Sequence, residues 1–272
     1  MEDFIHVIIT RFNVPTESWK VTREGGIPLS EEWLSDRFSI FQKYCLPSFK
    51  NQKNQNFIWL VFFDIHTSEK HRKTISEIQQ DYPLFTPIYI REFPDMQPKL
   101  MEIIPQYFTD KTKFVISSDI DNDDMLHCDF VQTVQQYYQP VNDLVIDLRL
   151  GIQLTKTGRR TAFATIFNFA SGPFISIVEK IDHFKTVIKE NHTKYRNYTN
   201  YTYFDKKPLY IQFIHDYNLL NESFADVKRM YHVDFESFGI SHKNSFKISK
   251  FNTFKHELRR IIKKVIKKIS SS

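Results

Sequence analysis

The chain has 272 residues, of which 41% are hydrophobic and 15% aromatic, with six glycines, two cysteines and a formal net charge of +5. That suits one α/β domain with or without an appendage, and it excludes a disulfide framework or a zinc site built on Cys45 and Cys128 as well as long flexible linkers. From Phe246 onward nine Lys or Arg face a single acid, Glu257, a net of +8 that leaves the remainder at −3, which argues against a nucleic-acid-binding core.

Phe4 to Ile9 is an apolar run broken only by His6 and reads as a buried parallel strand. Met1-Glu-Asp-Phe-Ile-His leads straight into it without signal-peptide character, so the expected location is cytoplasmic. Residues 14 to 30, with Pro15, Gly25, Gly26 and Pro28, read as a loop. Ser30 followed by Glu31 and Glu32 opens a helix whose apolar face is Trp33, Phe38, Phe41 and Leu46, with Pro47 at its end or at a kink. Phe57 to Phe63 is the second strand and ends at Asp64. A helix over 68 to 81, a strand over Pro87 to Arg91, a helix over 97 to 108 and a strand over Phe114 to Ser118 follow. This β-α-β-α-β-α-β alternation predicts a parallel sheet with helices on both faces.

The second half reads as mixed. A helix is predicted over Phe130 to Tyr138, and strand-like runs over Leu144 to Thr155 and Arg160 to Phe169 flank a hairpin turn at Lys156-Thr-Gly158. Residues 174 to 191 read as helix, Lys194 to Lys207 as a polar loop, and Leu209 to His215 as a short strand.

The chemistry concentrates in Phe114-Val-Ile-Ser-Ser-Asp119-Ile-Asp121-Asn-Asp123-Asp124. Four carboxylates within six residues repel one another unless something neutralises them. Placed at the C-terminal edge of a strand, where open α/β sheets bind ligands, they suit a hard divalent cation, Mg²⁺ or Mn²⁺. An EF-hand is excluded, because counting from Asp119 its sixth position is Asp124 rather than glycine and its twelfth is Phe130 rather than an acid. A metal-dependent phosphohydrolase using a strand-end aspartate, and a non-catalytic nucleotide- or carbohydrate-binding module, stay open on this pattern alone.

Several ordered pieces resemble one bacterial family, the rhamnosyltransferases of the GT-A fold. They are Ile9-Thr10-Arg11-Phe12-Asn13, Arg37 to Gln52 with Leu46-Pro47-Ser48-Phe49, Phe57-Ile-Trp-Leu-Val leading to Asp64, Asp121-Asn-Asp123-Asp124, and Gln212-Phe-Ile-His215-Asp-Tyr-Asn218. The chain departs from the family pattern at Asp119, where an Arg is expected two residues before Asp121. The resemblance implies a GT-A-like domain over residues 1–240, with a Rossmann-like, mostly parallel sheet flanked by helices. It implies an enzyme that moves a sugar from a nucleotide-sugar donor, dTDP-rhamnose among them, to a glycan or lipid-linked acceptor in surface polysaccharide synthesis. In that reading Asp121 and Asp123 hold the cation, with His192 and His215 as further ligands. Thr10, Arg11, Asp64 and Asp121 bind the donor, Asp64 through the nucleotide base. Glu190 is the candidate general base, with Asp147 and Glu179 as the other acids in contention. Arg149, Arg159 and Arg160 are candidates for contacting phosphate or an anionic acceptor.

Residues 241–272 read as an appended basic amphipathic helix. Phe254, Leu258, Ile261, Ile262, Val265, Ile266 and Ile269 share one face, opposite Arg259, Arg260, Lys263, Lys264 and Lys267. Such a helix suits the surface of an anionic membrane, which would make the protein peripheral at the inner face.

Overall fold

The computed structural model describes residues 3–16, 29–215 and 227–270, with side chains to residue 262. Most of the expected 14–30 loop, the Asp216 to Asn218 part of the family motif, and the tail side chains Val265, Ile266 and Ile269 lie outside the described residues.

In the first half β1 (Phe4–Arg11) is followed by α1 (Glu31–Ile40), which continues through a π-helical turn, Phe41–Cys45, into α2 (Leu46–Lys50). Ser30 caps α1 by accepting the Trp33 N–H, as its sequence position predicts. The helix does not end at Pro47 but runs on to Lys50. The π turn places Pro47 in the first turn of the next α segment, where its missing N–H costs nothing. Then come β2 (Ile58–Asp64), α3 (Glu69–Asp81), β3 (Phe85–Ile90), α4 (Met96–Ile103) and β4 (Phe114–Asp119). All four strands pair in parallel in the order β3-β2-β1-β4. Alternate residues serve the two faces. Ile8, Trp59, Val61 and Ile116 pack with α1, α2 and α3, whereas Val7, Ile9, Leu60 and Val115 pack with α4.

The second half adds β5 (Met125–Leu126), α5 (Phe130–Gln136), β6 (Leu144–Leu148), β7 (Leu150–Gly158), β8 (Thr161–Asn168), β9 (Ile175–Lys180), β10 (Tyr201–Phe204), β11 (Tyr210–Ile214), β12 (Arg229–Met230), β13 (Lys247–Ile248) and α6 (Lys250–Ser270). Four expectations are corrected here. The single run Leu144 to Thr155 is two strands, because the chain leaves the first sheet at Arg149 and enters the second. The hairpin forms, but Gly158 still pairs with Thr161, so its turn is Arg159-Arg160. The helix expected over 174–191 is replaced by β9 and a short 3-10 turn, and the 194–207 loop contains β10. Ile175, Ile177 and Val178 are β-branched and buried on both faces between β4 and β6, a setting in which strand wins over helix.

The larger sheet has seven strands in the order β10-β6-β9-β4-β1-β2-β3, with β9 alone opposing the others. The smaller sheet, β12-β8-β7-β11-β5 with β13 on β8, is mixed. This is the layout expected of the sequence: a mostly parallel sheet flanked by helices, then a mixed half, then a C-terminal helix. The acidic stretch leaves β4 in the first sheet and enters β5 in the second, so it sits where the two sheets meet.

Candidate active site

The chain moves from β1 outward to β2 and β3 and then returns to place β4 on the other side of β1. The crevice beyond the C-terminal ends of β1 and β4 is therefore the reversal point of the sheet, the place where such sheets bind ligands. Arg11 ends β1 and Asp119 ends β4 at this crevice.

The loop after β4 is pinned to the end of β1. The Asn122 Nδ2 donates to the carbonyls of Arg11 and Phe12 at 3.0 and 2.9 Å, and its Oδ1 accepts from Arg37 Nη1 at 3.2 Å. This fixes Asp121, Asp123 and Asp124 so that one carboxylate oxygen of each lies within 4.8 Å of the others. Asp121 is exposed on the open side, while Asp123 and Asp124 are buried. Asp123 Oδ2 accepts from Arg37 Nη1 at 2.5 Å and from His215 Nε2 at 2.9 Å. Burial would raise the Asp123 carboxyl, but Arg37 and His215 more than offset it and hold it at about 2. Asp124 Oδ1 accepts the Phe213 N–H at 2.7 Å, and its Oδ2 is buried without a partner. Burial and the charges of Asp123 and Asp121 push Asp124 well above the usual carboxylate range. Enclosure and Asp123 raise Asp121 in the same way, against Arg11, Arg37 and His192. Asp119 is pushed up to about 7 by burial and by Asp121.

Three oxygen donors converging beside an orphaned buried carboxylate oxygen fit a hard divalent cation, which would relieve the repulsion and occupy the unmet acceptor. Arg37 was not assigned a role from sequence. It lies 86 residues from Asp123, and only its place in the Arg37 to Gln52 motif hinted at it.

The candidate residues separate on inspection. Arg11 lies over the Phe93 ring at 5.0 Å and lowers both Asp119 and Asp121 by its charge, so it belongs to the cleft. Thr10 does not. Its side chain is fully buried and its Oγ1 accepts from Trp59 Nε1 at 3.0 Å, because the strand alternation turns it toward α1 and α2. His215 Nε2 donates to Asp123 Oδ2 and so orients that carboxylate. His192 donates from Nδ1 to the Ser171 carbonyl at 2.9 Å and lies near enough to Asp121 to act on its carboxyl electrostatically.

Asp64 Oδ1 accepts the His66 N–H at 2.9 Å, so half of this carboxylate closes a turn at the end of β2. Its other oxygen makes no hydrogen bond among the described residues. Glu190 pairs with Lys194 at 2.8 Å and opens on a separate cavity of about 790 Å³, away from the acid cluster. Glu179 is a structural acid, whereas Asp147 gathers all its donors on Oδ2 and leaves its Oδ1 buried without a partner. Glu179 accepts from the Lys185 and Thr186 N–H groups and from Lys189 Nζ. Asp147 accepts from Ser171 N, Arg149 Nε and the Tyr201 hydroxyl. Arg149 stacks on Tyr203 at 3.7 Å, and Arg160 donates to the His242 carbonyl at 3.1 Å.

The crystal structure of S. aureus TarS 1-349 is similar at 12% identity and a TM-score of 0.44, over 78% of this chain and 60% of that one. The same protein in complex with UDP-GlcNAc gives 13% and 0.44, over 79% and 59%. A putative nucleotide-diphospho-sugar transferase from Desulfovibrio desulfuricans G20 gives 8% and 0.36, over 79% and 83%. The chain thus spans about three-fifths of the TarS structures it matches. No curated protein matches it by sequence. A family model does: residues 5–226 match "Putative rhamnosyl transferase", and the chain belongs to that family of glycosyltransferases.

Proposed function

We propose that this chain transfers a sugar from a nucleotide-sugar donor, with Mg²⁺ or Mn²⁺ held by Asp121 and Asp123 and by the unpartnered oxygen of Asp124. The observation that carries the reading is the convergence of these three carboxylates at the reversal point of the sheet. When bound, the cation would supply Lewis-acid stabilisation for the departing diphosphate. The chain's own groups do the rest. Arg37 and His215 hold Asp123 ionised and aimed at the cluster. Arg11 adds a cation at the mouth, where a diphosphate would lie. The open oxygen of Asp64 accepts a hydrogen bond from the nucleotide base. The family description points to a rhamnosyl donor, and Asp119 in place of the expected Arg makes other sugars part of the same screen. Candidate nucleotide sugars are incubated with Mn²⁺ with and without glycan acceptors. Acceptor-dependent release of nucleoside diphosphate is the expected result, and acceptor-independent release of inorganic phosphate would overturn it.

The acceptor in this reading is a glycan or lipid-linked saccharide met at the inner membrane face. Support comes from α6. Thr253 is buried, and Glu257 accepts from the Arg229 N–H at 2.8 Å and from Arg260, so the helix docks through a polar face. Phe251, Phe254, Leu258, Ile261 and Ile262 stay exposed, between 48% and 74%. No described helix is long and apolar enough to cross a membrane. An exposed apolar stripe flanked by cations suits adsorption to anionic lipid. Liposome flotation checks this: truncation at residue 250 abolishes binding to anionic vesicles, and undiminished binding would refute it.

A further inference from the structure

A second cleft of about 560 Å³ opens beside the acid cluster and shares His215 with it. It lies between the α1–π-turn segment and the tip of the β7–β8 hairpin, and no acid of the cluster lines it. Its size is within the range of about 300–1,000 Å³ that ligand sites occupy.

The floor is aromatic. Tyr44 lies 5.2 Å from Phe213 and 5.6 Å from Phe246, which are themselves 5.4 Å apart, and Phe213 lies 5.1 Å from His215. The wall is cationic. Lys43 comes from the helix side, Lys156 and Arg159 come from the hairpin, and Asp36 is the one acid among the described lining residues. Lys43 and Arg159 are exposed, and Lys43 Nζ donates to the neutral Ser39 hydroxyl at 3.0 Å. Aromatic rings accept the C–H faces of sugar rings by packing, and ammonium and guanidinium groups select an anionic substituent. The two features occur together in one cleft whose inner end is the histidine that orients Asp123.

We propose that this cleft is the acceptor site and that the acceptor is a saccharide carrying anionic groups, phosphate or carboxylate. The inference rests on the glycosyltransferase reading above and specifies its substrate class. A sugar seated on the part-exposed ring of Tyr44, which is backed by the buried Phe213 and Phe246, has its next ring directed past His215 toward the metal cluster, while its charged substituents meet Lys43, Lys156 and Arg159.

The test is a calorimetric titration of the full chain at low salt without nucleotide, so its failure and the failure of the donor reading are separate results. The probes are mannopentaose, the same oligosaccharide bearing a phosphate, and tetragalacturonate. At least one charged probe is expected to bind tenfold or more tightly than neutral mannopentaose, and which one does so identifies the group. The double variant Lys156→Glu, Arg159→Glu, with circular dichroism and melting temperature as in the parent, is expected to lose that tenfold preference. Equal binding of neutral and charged probes, absence of binding by all three, or a preference that survives the double charge reversal overturns the proposal.

Discussion

Glu179 has two backbone N–H groups and the Lys189 ammonium on its two oxygens, whereas Asp124 has one backbone N–H and two carboxylates for neighbours. Both are buried acids, at 1% and 0% exposure. The first is a finished structural contact, its charge matched and both of its oxygens hydrogen-bonded. The second is left with an oxygen that nothing satisfies and a carboxyl driven upward by its neighbours. Asp147 also has a buried oxygen without a partner, but only the open oxygen of Asp124 lies among two further carboxylates, and that convergence is what suits a ligand. The contrast separates acids that build the fold from acids that do chemistry, and sequence alone had grouped Glu179 with the candidates for catalysis.

The largest expected effect tests the unfinished side. Asp121→Ala removes an exposed carboxylate, so melting should change little while kcat falls by about 10²–10³-fold, as when one preorganised group at a developing charge is lost. Steady-state kinetics with Mn²⁺ measures this, and full turnover by the variant in chelator would end the metal reading. The finished side should respond in the opposite sense. Glu179→Ala strands two backbone donors and leaves Lys189 with Asp143 alone, and it is expected to cost about 3 kcal/mol of stability, read by urea denaturation.

His6 extends the contrast to a buried base. Burial holds its imidazole near 3, and its Nε2 lies 2.9 Å from the Ser118 hydroxyl. A folded pKa below the unfolded value of about 6.5 means that the unfolded chain binds the proton first, so stability is lost as pH falls from about 6.5 toward 3. At pH 5 the loss attributable to this group is about 2 kcal/mol, and His6→Gln should flatten that part of the curve. A pH–stability profile identical in parent and variant would remove His6 from the account. Asp64 is the intermediate case, with one oxygen in a turn and one open. Asp64→Ala should weaken donor binding about tenfold, the value of one charge-assisted hydrogen bond. An unchanged donor Kd would leave Asp64 as a turn residue only.

Much of this was readable from sequence because it is local. The strands β1 to β4 are unbroken apolar runs spaced by helical patterns, and the acids follow the last of them within a few residues. The parts that were missed depend on partners far along the chain. β9 has the composition of a short strand followed by charged residues that mimic a helix, and it becomes a strand because β4 and β6 receive it on both edges. Thr10 looked like a rim residue because it ends a strand run, but the side-chain alternation that buries it is set by Trp59. The pairing of Arg37 and His215 with Asp123 joins three elements that no sequence window spans.

The π turn Phe41–Cys45 acts as a phase shifter on the longest connection in the first half. Arg37 before it reaches Asp123, and Gln52 after it holds the His127 carbonyl and the Val131 N–H, so a single rod grips both sides of the acidic loop. In a regular α-helix each residue advances by about 100°. Deleting one residue within the turn would restore regular winding and swing Gln52 out of reach while Arg37 stayed in place. The acidic loop would keep its holds on Arg37, on the end of β1 and on the Phe213 N–H, while the His127–Val131 segment that follows it would lose its link to the helix.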